Sequence, residues 1–275
     1  MNNFTLRTIS AAVYVVLIGI CLLGGTWPAF GLFFALTFFC LWEYKSILLT
    51  ELTLIQKILF MVFGLYLYTM LCLWQFTYIP RYYYGIALLV AISTFIIELF
   101  HKNAKPFDSI GRQLTGWIYI SVSIGLLYGI GYQKFLYANG EIAYNGPLVL
   151  SVFILIWAND TFAYLSGRWL GKTPLFSRIS PKKTIEGSIG GAILTLSVAY
   201  GLFVYYHHFT MLQYAILAIM ISITATLGDL IESMLKRSLD IKDSGNLIPG
   251  HGGILDRMDA SLITAWFVYF LFQIF

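Results

Sequence analysis

The reactive side chains of this sequence are densest between Gly228 and Asp259. Asp229, Glu232, Ser233 and Lys236 recur at three- and four-residue spacing, which puts them on one face of a helix. Glu232 and Lys236 alone would form an ordinary i,i+4 ion pair, but Asp229, one turn nearer the apolar side, calls for a partner of its own. The loop that follows contains Gly250, Gly252 and Gly253 around His251, and glycines let a backbone approach a phosphate closely. Asp256 and Asp259 stand three residues apart where the last apolar run begins. Acids in a first helical turn complement the helix dipole. Grouped with a third carboxylate, they form the all-oxygen donor set that Mg²⁺ takes when substrate phosphates complete its shell.

Two upstream features add to this chemistry. Asp160 lies well inside an apolar run, where a carboxylate costs roughly 2.5–3.5 kcal/mol on insertion scales and so needs compensation. Residues 167–185 hold five basic residues and no acid, whereas residues 229–259 hold six acids against four bases. A phosphate-attracting loop and a cation-attracting segment are thus predicted on one face. Ser180-Pro181 reads as a helix cap and first helical residue, which would put Lys182 and Lys183 in a first turn where a bound phosphate offsets their conflict with the helix dipole. Lys183-Thr184 lacks the preceding glycine pattern of a P-loop. Gly167, Gly171, Gly187 and Gly191 fit close helix packing.

Other candidates are weak. Cys21, Cys40 and Cys72 are isolated in apolar runs, with no zinc or disulfide spacing. His101, His207 and His208 have no paired ligands nearby, and Glu98 reads as structural.

The elements that must position these residues follow from composition. Of 275 residues, 59% are apolar and 11% charged, against about 25% charged in soluble domains. That excludes an ordinary soluble domain, a disordered chain and a disulfide scaffold, and leaves an all-α polytopic membrane protein. A span needs about 20 apolar residues, and nine candidates fall near 8–26, 27–42, 58–78, 82–100, 114–131, 147–166, 188–206, 211–233 and 259–275. Strands are not expected, because the apolar runs are continuous instead of alternating. With the N-terminus cytoplasmic, this topology puts fifteen Lys and Arg on the cytoplasmic side and two, Arg81 and Lys134, opposite. The net charge of +4 is too evenly balanced by acids on that side to indicate a nucleic-acid surface. Residues 1–145 are expected to supply supporting helices and residues 146–275 the catalytic region.

The pattern Ser233-x-Leu-Lys-Arg-x4-Lys-Asp-x-Gly-x2-Ile-Pro-x-His-Gly-Gly-Ile-x-Asp-Arg-Met-Asp259 resembles the signature of the phosphatidate cytidylyltransferase (CDP-diacylglycerol synthase) family. Asn159-Asp160-Thr-Phe-Ala-Tyr, Gly167-Arg-x-x-Gly171-Lys and Ser180-Pro-Lys-Lys-Thr-Ile-Glu-Gly187 resemble its upstream block. The resemblance implies that CTP and phosphatidic acid give CDP-diacylglycerol and pyrophosphate at the cytoplasmic face of a bacterial inner membrane. It also implies a homodimer. On this reading Asp229 and Asp256 bind Mg²⁺, with Asp259 and Asp160 as further ligands or holders of a second cation. Lys182, Lys183, Lys236 and Arg237 meet substrate phosphates, while Ser233, Lys242, His251, Gly252, Gly253 and Arg257 shape the substrate pocket. Two rivals use the same residues differently: a CTP-dependent lipid kinase would release CDP, and a cation-coupled transporter would set Asp160 and Asp229 on an ion path.

Overall fold

The computed structural model describes residues 3–76, 80, 82–101, 103–132, 143–206, 209–248 and 252–275. The apolar runs form helices, the conformation in which a segment surrounded by hydrocarbon satisfies its backbone groups internally. In chain order these are α1 (Asn3–Leu23), α2 (Thr26–Leu48), α3 (Leu54–Phe76) and α4 (Tyr82–Leu99). A rod of mixed pitch follows: α5 (Pro106–Gly116), a π-helical stretch (Trp117–Val122), α6 (Ser123–Gly129) and a 3-10 turn (Ile130–Tyr132). The C-terminal half contains α7 (Gly146–Leu170), a hairpin of β1 (Pro174–Phe176) and β2 (Ser180–Thr184), α8 (Ile185–Tyr206), α9 (Met211–Ser238) and α10 (Leu255–Ile274).

Each predicted apolar interval falls largely on one of these helices or on the mixed rod. Among the described residues, six helices are long and apolar enough to cross a membrane by length and composition: Thr26–Leu48, Leu54–Gln75, Pro106–Tyr132, Gly146–Leu170, Ile185–Tyr206 and Met211–Ser238. Thr8–Leu23 and Gly85–Leu99 are shorter apolar helices. The outer surface carries large apolar side chains such as Ile20, Leu88, Leu89 and Ile193, as a lipid-facing surface would.

α7 packs along α8, and α9 lies against α8 and α10. α10 also touches α6 and α2, which ties the C-terminal helices to the N-terminal ones. Small residues permit the closest contacts. A Cβ on Gly191 of α8 would stand 3.0 Å from the backbone nitrogen of Ala163 on α7. A Cβ on Gly228 of α9 would stand 2.6 Å from the carbonyl oxygen of Asp259 and 2.9 Å from the Cα of Ala260 on α10. Gly228 therefore lets two backbones meet beside Asp229 and Asp259. Gly228→Ala is expected to destabilise the protein by about 1–3 kcal/mol through overpacking, read as a lower thermal midpoint in detergent. An unchanged midpoint would mean that α9 and α10 part without cost.

The basic loop departs from the sequence reading. Lys182 and Lys183 lie on strand β2 and not in a first helical turn. The strands pair antiparallel, with Pro174 opposite Thr184 and Phe176 opposite Ser180. Helix α8 begins only at Ile185, where Thr184 supplies the cap by accepting the Gly187 amide on its Oγ1 at 3.1 Å. Glu186, in the first turn of α8, accepts the amides of Lys172 and Thr173 at 3.1 Å and so closes the hairpin onto the helix. Ser180-Pro181 resembled a cap in sequence, but these later partners move the helix start by one turn.

Candidate active site

The C-terminal end of α7, the hairpin, the C-terminal end of α9 and the start of α10 surround a cavity of about 870 Å³. α1 contributes Ser10, Ala11, Tyr14 and Val15 to one wall. Five acids line it: Asp160 from α7, Asp229 from α9, Asp243 from the following loop, and Asp256 and Asp259 from α10. Five bases also line it: Arg168, Lys182, Lys183, Lys236 and Arg257. The described wall is therefore formally neutral. A polyphosphate entering it meets as many carboxylates as cations, so its charge is accommodated only if something else neutralises the carboxylates.

Internal pairing decides which cations stay available. Lys183 forms an ion pair with Asp229, and the Ser233 hydroxyl donates to Asp229 Oδ1 at 3.2 Å. Lys183 is half-buried against Asp229 of α9, while Lys182 is exposed; both line the cavity. Lys236 sits between two acids, 2.6 Å from Glu232 Oε2 and 2.8 Å from Asp256 Oδ1. Glu232 is buried, and the i,i+4 pair expected from the sequence is present.

Asp256 is held by three donors. Its Oδ2 accepts the amides of Ser244 at 2.9 Å and Gly253 at 2.8 Å, and its Oδ1 accepts Lys236 Nζ. The left-handed Gly252 (φ +81°) shapes this turn, and a Cβ there would lie 2.9 Å from Asp256 Oδ2. Asp259 Oδ1 accepts the amide of Ala260 at 2.6 Å.

The structure thus gathers Asp160, Lys182, Lys183, Asp229, Lys236, Asp256, Arg257 and Asp259 around one cavity. Ser233, Gly252 and Gly253 act from behind, through Asp229 and Asp256. Arg237 and Lys242 are exposed and do not line the cavity. His251 lies outside the described residues. Sequence reasoning gave no site role to Asp243 and Arg168, although both fall inside the quoted motifs, and it missed Tyr14, which carries no pattern of its own and joins the site only through the fold. It also missed Glu43, a buried acid of α2 bonded to Ser244, Ile254 and Leu255. The span predicted at 27–42 stopped one residue short of it. Applying to the whole of α2 the test that singled out Asp160, an acid inside an apolar run, would have found it.

Among the described residues, no three His, Cys, Asp or Glu side chains converge as a ready-made metal centre. The donor chemistry still fits a hard cation. Mg²⁺ is commonly held by one or two carboxylates with phosphate oxygens and water completing its shell, and the neutral wall leaves carboxylates that an incoming polyanion must have neutralised. The donor set fits a cation whose shell phosphate oxygens and water complete.

A bundle of apolar helices whose carboxylates and lysines line one cavity has the make-up of a site for phosphate chemistry at an apolar boundary. The chain is a member of the cytidylyltransferase family, which it matches over residues 5–275, and it is a nucleotidyltransferase. It is 34% identical to the phosphatidate cytidylyltransferase of Bacillus subtilis (strain 168) over 217 residues, covering 75% of this chain and 77% of that one. Against that of Synechocystis sp. the identity is 40% over 197 residues, covering 67% of this chain and 63% of the relative. Against that of Haemophilus influenzae it is 38% over 197 residues, covering 69% and 66%. The matched stretch therefore spans roughly two thirds of the length of the latter two relatives.

Proposed function

We propose that this protein transfers the cytidylyl group of CTP to phosphatidic acid, giving CDP-diacylglycerol and pyrophosphate. The observation that carries the reading is the cavity itself: five bases and five carboxylates on its wall, with α1 beside them, inside a bundle of apolar helices. One substrate is a soluble polyanion and the other a lipid whose phosphate sits at the membrane boundary, and such a cavity serves both.

A non-bridging phosphatidate oxygen attacks the α-phosphorus of CTP. The bond from that phosphorus to the α–β bridging oxygen breaks, and pyrophosphate leaves. Phosphatidate is already ionised near neutral pH, so the attack needs no general base. Lys182 and Lys183 of β2, with Lys236 and Arg257, hold the phosphates and stabilise charge on the departing pyrophosphate. Arg237 and Lys242 act at most at the rim, since both are exposed. Asp229 and Asp256, with Asp160 and Asp259, would hold Mg²⁺, with or without a second cation, which would neutralise the phosphate oxygens. Asp256 would take that role in place of its Lys236 contact while keeping its two backbone donors, and Lys236, still paired with Glu232, would offer its remaining donors to phosphate.

We further propose nine spans with a cytoplasmic N-terminus in a bacterial inner membrane. The Lys and Arg asymmetry supports this. So does the gathering of the α7 C-terminus, the hairpin, the α9 C-terminus and the α10 N-terminus at one cavity, which would face the cytoplasm. We also propose a homodimer, on the family resemblance alone.

The test uses purified protein in mixed micelles with phosphatidic acid, α-³²P-labelled CTP and Mg²⁺, with and without EDTA. Magnesium-dependent labelling of a chloroform-soluble product with release of pyrophosphate is expected. Release of CDP without lipid label would replace the reading by phosphoryl transfer.

A further inference from the structure

Glu43 lies near the C-terminal end of α2, is 3% exposed, and does not line the cavity. Its carboxylate nevertheless reaches the segment that carries two of the site acids. Oε1 accepts the amide of Ile254 at 2.9 Å, and Oε2 accepts the amide of Leu255 at 2.9 Å and the hydroxyl of Ser244 at 3.0 Å. These partners are more than 200 residues away in sequence.

Two of the three donors are backbone amides at the start of α10. The first amides of a helix have no partner within it, and the residue preceding α10 gives no side-chain cap. Glu43 supplies that cap from another helix, and its negative charge sits where the helix dipole favours one. The loop is shaped around the carboxylate. A Cβ on Gly253 would collide with Glu43 Oε2 and Ser244 Oγ, and one on Gly245 would lie 2.6 Å from Glu43 Oε1. Ser244 and Gly253 are also the two residues whose amides grip Asp256. One buried carboxylate therefore fixes the same loop that fixes the site acid.

We infer that Glu43 is a positioning residue for the active site: it sets the start of α10 and holds Ser244 against it, and through them aims Asp256 and Asp259 into the cavity. The inference rests on the functional reading above for its kinetic consequence but not for its structural one. Glutamine at this site keeps the volume while turning an NH₂ toward a donor, so at least one of the three bonds is lost. Loss of a group bonded to a metal ligand typically lowers activity or metal affinity by about 10–100-fold, and Glu43 acts one contact further out, through Ser244 and the start of α10.

Glu43→Gln is therefore expected to lower kcat by about 10–100-fold, with the KM for CTP changed much less, in protein that remains folded. Hydrogen–deuterium exchange should rise at residues 252–257 and stay unchanged in α7 and α8. Glu98→Gln serves as the control. Glu98 is equally buried, bonded to Gln56 at 3.4 Å and Asn103 at 3.1 Å, and away from the cavity. It should leave kcat and the exchange of 252–257 as they are. Ser244→Ala, which removes one bond of the three, should give a smaller fall in the same direction.

Equal effects of Glu43→Gln and Glu98→Gln, or unchanged exchange at 252–257, would overturn the inference. Should Glu43→Gln fail to accumulate, unchanged kcat and exchange in Ser244→Ala would do so. A wild-type protein without cytidylyl transfer would overturn the functional reading instead, and the exchange experiment would still decide the role of Glu43.

Discussion

Asp229→Asn is expected to lower the rate of cytidylyl transfer by roughly 10²–10³-fold, the usual cost of removing one strong electrostatic stabiliser. The substitution keeps the size of the side chain and an oxygen to accept the Ser233 hydroxyl, so the fold should survive; Asp229 is also one-third exposed. Asparagine loses the charge that pairs with Lys183 and that would help to hold Mg²⁺. The loss should fall on kcat at saturating CTP and phosphatidic acid, and the Mg²⁺ concentration for half-maximal rate should rise. Steady-state assays over a Mg²⁺ series read both quantities. A rate near wild type would remove Asp229 from the mechanism.

The second large effect is expected at Lys236. Its ammonium lies between Glu232, 1% exposed, and Asp256, 5% exposed. Lys236→Met keeps most of the side-chain length and leaves two buried carboxylates facing each other. Removing one partner of a buried ionic group typically costs about 3–5 kcal/mol, because the remaining charge is uncompensated. Thermal unfolding in detergent should show that loss, and transfer activity should fall with it. Adding Glu232→Gln removes one of the two charges and should restore part of the stability without restoring activity. That separates the structural share of Lys236 from its share in phosphate binding, as a double-mutant cycle does. A Lys236→Met protein as stable as wild type would show that the two acids are not charged together.

The helical bundle was legible because its signal is redundant. Long apolar runs admit one conformation in hydrocarbon, and a misjudged edge does not change the element. Asp160, Asp229, Asp256 and Asp259 were legible because acids within or beside such runs require a reason. The hairpin at Pro174–Thr184 was not, because its course depends on contacts made from both sides. Thr184 caps α8, and Glu186 reaches back to Lys172 and Thr173. Ser180-Pro181 offered an equally good local helix start, and only these partners decide between them. Asp243 and Arg168 stand inside the quoted motifs but in exposed loop and helix-end settings that give no local reason for a role, and the path of the chain brings them to the cavity. Glu43 was within reach of the argument used for Asp160, but the predicted edge of the second span excluded it.

The bonds from α2 to the start of α10 bear on how the chain can be recombined. A chimera joined near residue 145, with the first helices taken from a distant relative, would inherit every lysine and aspartate lining the cavity from α7 to α10. It would still lose the carboxylate beneath them unless the donor offered an acid at the same depth on its second helix. The two halves are therefore not interchangeable parts, and a graft that brings Glu43 with it has the better prospect of giving an ordered site.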